Sequence, residues 1–375
     1  MKEKIFLKTM MHRMKQDSVL TISALAAIIS MFFTPPSMAY IDYINLPVLE
    51  MLFCLMAVVA GLRETGVLDR MQCLILRRVH RTRALAAALT ALCFLTSMFI
   101  TNDVALLTFV PLTMGLLLRQ DEKLLIQTVV LQTIAANLGS LVTPIGNPQN
   151  LYLYTCYAMN IRDFMALTLP LGGVCLLLLL LSMLLVPQKE LTLPAEKGTP
   201  RPIPLYPTLP FALLFLFCLL TVIGLVAHIL CFGLLTVTLL FVDRPIFRKI
   251  DYALLGTFVC FFIFVGNLSQ VDAIHQFLSR AISGQELSVS LLVSQIFSNV
   301  PAAVLLSGFT DNAKALILGT DIGGLGTLVA SLASLISYRL YTSMCPTRKL
   351  QYLKTFTGYN LVFLVLLVPF GYALL

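Results

Sequence analysis

The chain has no tryptophan and little charge. Only 12% of its 375 residues are Asp, Glu, Lys or Arg, about half the share of a soluble globular domain. The longest polar stretch runs only from Pro187 to Tyr206, so no soluble domain fits inside the chain. Nine cysteines occur without a CxxC spacing, which excludes a disulfide or zinc framework. No GxxxxGK[ST] is present, so ATP-driven transport has no nucleotide loop. No HExxH, no GxGD around Asp321 and no Ser/His pair is present, and an enzyme is not expected. With tryptophan absent, interfacial aromatics must come from the twelve tyrosines.

What the chain does have is apolar length. The hydrophobic fraction is 58% and the mean hydropathy is +0.91. A spanning helix takes about 20 residues, so a polytopic all-α membrane protein is expected. Apolar runs cover 17–35, 44–62, 84–118, 124–158, 164–186, 207–227, 228–242, 250–268, 287–309, 312–341 and 355–375. Two of them have polar centres. Thr101-Asn102-Asp103 interrupts 84–118 and Ser298-Asn299-Val300-Pro301 interrupts 287–309. Both read as re-entrant hairpins, which leaves nine spans and two hairpins.

The net charge of +8 follows from topology rather than from nucleic-acid binding. With the N-terminus cytoplasmic, 23 of the 26 Lys and Arg fall in cytoplasmic segments. Only Arg162, Arg280 and Lys314 fall outside. That asymmetry fits the positive-inside rule and puts the C-terminus outside, in a multi-pass protein of the plasma membrane. The run from Ser18 to Phe33 carries no convincing cleavage site, so it reads as a retained first helix.

An internal repeat is present. Leu49–Asp69 and Leu254–Ile274 share Phe53/Phe258 and Gly61/Gly266. The two hairpins follow, with Asn102 opposite Asn299. Two interrupted segments come next, Asn137–Asn150 and Asp321–Ser334. They match at Gly139/Gly323, Leu141/Leu325 and Thr143/Thr327. The expected division is 1–43 (N-terminal segment and first helix), 44–186 (repeat one), 187–206 (cytoplasmic loop), 207–249 (linking helices) and 250–375 (repeat two). The assigned topology inverts the halves. Inverted repeats with broken helices in matching positions point to a secondary transporter whose site lies near the midplane.

The Thr143-Pro144-Ile145-Gly146-Asn147-Pro148 stretch cannot stay helical, because each proline lacks an N–H and clashes with the preceding turn. Freed N–H groups and a helix N-terminus suit an anion, and freed carbonyls suit a cation. Two carboxylates, Asp103 and Asp321, fall at membrane depth, where an ionisable group is costly and a site candidate. Asp103 is also placed to cap the second hairpin arm, and Asp321 to begin the second broken helix as a cap. The candidate residues for substrate or ion are Thr101, Asn102, Asp103, Thr143, Asn147, Asn150, Ser298, Asn299, Asp321 and Thr327. Asn102, Asp103 and Asn299 are the candidates for Na⁺. Na⁺ or H⁺ is expected as coupling ion and no other cofactor. No Lys or Arg stands at depth to meet an anion, which keeps a cation/proton antiporter as the alternative.

The strings FITNDVALLTFVPLTMGLL, NLGSLVTPIGNPQNLYLY, IFSNVPAAVLLSGF and AGLRETGVLD resemble the ion transporter superfamily. That group includes divalent anion/sodium symporters, citrate permeases, ArsB-type arsenite permeases and NhaD-type sodium/proton antiporters. The resemblance implies a scaffold and a transport domain, often in a homodimer, a small anionic solute and the lipid bilayer as partners, and no nucleic acid. In the sodium/carboxylate branch Ser-Asn-Thr stands at both hairpin tips. Here the asparagines match, but the third position is Asp103 in one tip and Val300 in the other. An Asp beside the asparagine is closer to the arsenite and antiporter side.

Overall fold

The computed structural model describes residues 18–76, 79, 81–118, 121–190 and 205–375. The basic N-terminal stretch and most of the 187–206 loop lie outside the described residues. All the regular elements among them are helical: α1 (Ser18–Ser30), α2 (Ala39–Tyr43), α3 (Leu46–Glu64), α4 (Val67–Leu76), α5 (Thr82–Ile100), α6 (Asn102–Leu117), α7 (Glu122–Ser140), α8 (Pro148–Cys156), α9 (Ile161–Met183), α10 (Leu205–Val222), α11 (His228–Val242), α12 (Tyr252–Ser269), α13 (Asp272–Ile282), α14 (Glu286–Phe297), α15 (Asn299–Ser307), α16 (Ala313–Gly323), α17 (Leu332–Met344) and α18 (Lys349–Ala373). Five segments are long and apolar enough to cross a membrane in one piece: α3, α5, α9, α12 and Pro346–Ala373. Large apolar side chains such as Leu180, Leu184, Leu361 and Val365 face outward, as lipid contact requires.

The expected repeat is visible in the element order. α3 through α9 and α12 through α18 each run long helix, short helix, two hairpin arms, two half-helices, long helix. The short helices α4 and α13 were not among the apolar runs; they carry charge, and α13 is amphipathic. Second-hairpin arms of 12 and 9 residues reach only about 18 and 14 Å, against a hydrocarbon core of about 30 Å. α5 has the length to cross. However, its tip meets the last turn of α7 beside the break, through Asn102 and Asn137.

The repeats are related by an approximate two-fold. α6 packs on α17 as α15 packs on α8, and α7 packs on α17 as α16 packs on α8. Self-paired contacts join α3 to α12, α7 to α16 and α9 to α18. Such reciprocity is the mark of an isologous interface. The direction is inverted. Glu64 at the end of α3 meets Lys249, just before α12, at 2.5 Å, so these equivalent helices run oppositely.

The basic loops gather on one face. Thr82 and Arg83 bond the 184–189 stretch, Lys189 meets Asp121 at 2.8 Å, and Arg348 meets Glu122 at 3.2 Å. Hydrogen bonding from Lys189, the largest cause, holds the Asp121 carboxyl below the usual carboxylate range. A depressed carboxylate stabilises the fold above its unfolded pKa and loses that contribution as pH falls through the folded value. The pair is largely exposed, so Lys189→Ala is expected to lower stability by no more than about 1 kcal/mol. The difference from the parent protein should vanish at acid pH in a pH series of thermal melts.

Candidate functional site

Each hairpin turns on one strained residue. Thr101 has φ 69° and ψ 150°, and Ser298 has φ 75° and ψ 155°. This region is normally reserved for glycine and costs about 1–3 kcal/mol unless the surroundings enforce it. The asparagine that follows supplies the enforcement. Asn102 Oδ1 accepts from the Asp103 amide at 3.0 Å, and Asn299 Oδ1 accepts from the Val300 amide at 3.0 Å. Asn102 Nδ2 then donates to Asn137 Oδ1 at 3.1 Å, and the Asn299 amide donates to the Ala330 carbonyl at 2.9 Å. Both tips are therefore pinned to a broken helix. No hydrogen bond joins one tip to the other among the described residues.

The breaks are built alike. Gly139 lets α7 approach α5 at Phe94 and Ser97, and Gly323 lets α16 approach α14 at Leu291 and Ser294. These are the same positions relative to the tip asparagine. Thr143 donates to the Met98 carbonyl, and Thr327 donates to the Gln295 carbonyl at 3.1 Å. Both threonines thus clasp backbone. Gln295 adds bonds to Gly323 O, Leu325 O and the Thr327 amide, meeting carbonyls that the break sets free.

The half-helices cross at the two-fold. Asp321 lies in the last turn of α16, not at the start of the broken helix as the sequence suggested. Its Oδ1 accepts from Asn147 at 3.3 Å and Gln149 at 3.4 Å, and its Oδ2 from Asn150 at 2.9 Å. The equivalent residue, Asn137, bonds Ser331 at 3.0 Å and Ser334 at 3.3 Å. Aligning the breaks places Ser331 opposite Asn147 and Ser334 opposite Asn150. The two serines and Gln295 were absent from the sequence candidates. That alignment alone would have found the serines.

A cavity of about 420 Å³ lies between α3, α6, the first break and α12. It reaches from Arg63, Glu64, Lys249 and Asp251 on the basic face to Thr101, Asp103 and Asn147. Its charges are unequally satisfied. Glu64 pairs with Lys249. Asp251 caps α12, accepting from the Ala253 and Leu254 amides. Arg63 donates to the Leu107 carbonyl. Asp103 Oδ1, by contrast, is buried with no hydrogen-bond partner. The helix start at Thr101 has no side-chain cap; Asn102 takes the Asp103 amide, and the Asp103 side chain caps nothing. His228, between two apolar runs, bonds Glu50 at 2.5 Å, and neither side chain lines this cavity.

The sequence profile of the citrate transporter family (CitMHS) matches residues 7–319. The chain belongs to the citrate transporter family. Two relatives match it over most of their length. One is an uncharacterized transporter of Methanocaldococcus jannaschii, 33% identical over 298 residues, 77% of this chain and 79% of the relative. Another is the inner membrane protein YbiR of Escherichia coli, 33% identical over 295 residues, 76% and 77% of the two chains. The human P protein is 29% identical over 176 residues, 45% of this chain and 20% of that protein. As a member of the citrate transporter family the chain is a multi-pass membrane transporter. The two hairpins and the two breaks are the parts that position its buried polar residues.

Proposed function

We propose that the chain is a secondary active permease for a small anion, a carboxylate or inorganic oxyanion, coupled to H⁺ or Na⁺. The observation that carries this reading is the unpartnered Asp103 carboxylate at the inner end of the cavity. Arg63 and Lys249 line the cavity, but Glu64 and Asp251 beside them balance their charge. An anion in the cavity meets Asp103 with no net positive charge among the lining side chains to offset it. Two like charges about 5 Å apart repel by about 3 kcal/mol at an effective dielectric near 20, or about a hundredfold in affinity. A proton or Na⁺ on Asp103 removes that repulsion, so anion and cation load together. The basic face is then the cytoplasmic one, with the N-terminus inside and the C-terminus outside, and the assembly is a homodimer, as the resemblance implies.

A Na⁺/H⁺ antiporter or an arsenite-type permease draws on the same carboxylate, because a lone acidic group without a basic partner also suits a cation. A thermal-shift series separates the readings. Ligands that bind the native state raise its melting temperature by mass action, about 2.7 kcal/mol at a hundred times Kd. The purified protein is titrated with Na⁺ at several pH values, with and without citrate, succinate, sulfate, phosphate and arsenite. A cation-dependent shift that grows with one anion is the expected result. A shift with Na⁺ alone, indifferent to every anion and lost as pH falls, would replace symport with exchange.

A further inference from the structure

The second intramembrane carboxylate has a setting unlike the first. Asp321 is buried and faces the N-terminal end of α8. Its three donors, Asn147, Gln149 and Asn150, are the N-cap, second and third residues about that helix start. A helix N-terminus carries about half a positive charge and is a ready anion site. Asp321 also stands in the last turn of its own helix, α16, where the dipole disfavours a negative charge. The attraction holding it comes from α8. Asn150 shows the demand for donors most clearly. Its Nδ2 serves both Leu141 O and Asp321 Oδ2, while its Oδ1 is buried without a partner. The two-fold supplies an internal comparison. Where Asp321 meets three amide groups, its equivalent Asn137 is neutral and meets two serine hydroxyls and the Asn102 amide.

We propose that Asp321 is the resident anion of the α8 N-terminus, filling from within the chain the anion site that the first break creates. It is a positioning residue: it ties α16 of repeat two to the break of repeat one. The transported anion does not reach the Gln149 and Asn150 amides, and it binds on the cavity side at Asp103. Only the statement about the transported anion rests on the proposed permease function; the occupancy of the α8 N-terminus stands without it.

Chemical rescue tests this in the full-length purified protein. Asp321→Ala leaves the three amide donors facing a hole of carboxylate size. Its melting temperature should fall by several degrees, and sodium formate should restore at least half of the loss. Sodium gluconate, too bulky for the hole, should not. Formate should leave the parent protein unmoved. Asp321→Asn keeps the volume but not the charge; it should melt low and ignore formate. If Asp321→Ala gives no folded protein, the reciprocal exchange decides. Asn147→Asp sets two carboxylates together and should destabilise, and adding Asp321→Asn should recover most of that loss. Asp321→Asn melting like the parent, formate without effect on Asp321→Ala, or no recovery in the double variant would overturn the assignment. In vesicles, formate should raise the maximal citrate uptake of Asp321→Ala and leave its KM unchanged. A KM that rises with formate in Asp321→Ala but not in the parent protein would put the substrate in the same site and overturn its exclusion. The melting arm reads binding without transport, so its failure is distinguishable from failure of the permease reading.

Discussion

Asp103→Asn is expected to abolish concentrative anion uptake while leaving the fold intact. Asparagine is nearly isosteric with aspartate, and the Asp103 side chain makes no capping bond in the hairpin, so no structural contact is removed. What disappears is the charge that an incoming anion must see neutralised. The variant should bind anion without help from Na⁺ or low pH, and it should carry the anion only down its own gradient. Accumulation driven by a cation gradient should fall at least tenfold, because each 1.4 kcal/mol of lost coupling is a factor of ten and the charge repulsion amounts to about 3 kcal/mol at ~5 Å. The check is labelled-anion uptake into vesicles with and without Na⁺ and pH gradients, alongside a melt in detergent. An Asp103→Asn protein that still concentrates anion on a cation gradient would remove Asp103 from the coupling.

Gly139→Ala should be among the most costly methyl additions in the first break, alongside Gly146→Ala, whose Cβ would stand 2.1 Å from the Ser140 carbonyl oxygen. A Cβ at Gly139 would stand 2.1 Å from the Phe94 carbonyl oxygen and 2.8 Å from the carbonyl carbon. Backbone atoms inside a packed helix pair cannot swing aside as a side-chain tip can. Overpacking of this kind usually costs about 1–3 kcal/mol, and the upper part of that range is expected here. Separating α5 from α7 also pulls Asn102 from Asn137 and Thr143 from Met98, so transport should fall with the melting temperature. Gly323→Ala meets Ser294 and Leu291 at 2.9–3.0 Å and should cost less. Gly115→Ala and Gly173→Ala meet nothing within 4 Å and serve as controls, with a small gain from better helix propensity. Equal melting of Gly139→Ala and the controls would contradict the close α5–α7 approach.

Much of this architecture is legible in the sequence because the membrane forces it to be. An apolar run interrupted by Asn102-Asp103 or by Ser298-Asn299 leaves polar groups in hydrocarbon unless the chain turns back against protein. Two prolines beside Gly146 leave the first break equally little freedom. α4 and α13 were not legible as apolar runs, since charged residues such as Asp69, Arg70, Asp272 and Arg280 dilute them. Their signal is a helical period rather than mean hydropathy. Asp321 was visible as an intramembrane carboxylate. Its partners lie 171 to 174 positions away in the chain, and no local pattern marks such a contact. Thr143 and Thr327 were chosen for their hydroxyls, which the structure turns toward backbone carbonyls. Only the tertiary approach of hairpin and break gives them that task.

The most direct test of obligatory coupling is citrate uptake by the purified protein in sealed vesicles, with cation movement recorded in the same sample. Anion flux should require H⁺ or Na⁺ moving with it, and citrate should accumulate above its outside concentration when either gradient is imposed inward. Citrate that equilibrates at the same rate with no gradient and no accompanying cation movement would contradict a coupling role for the Asp103 carboxylate.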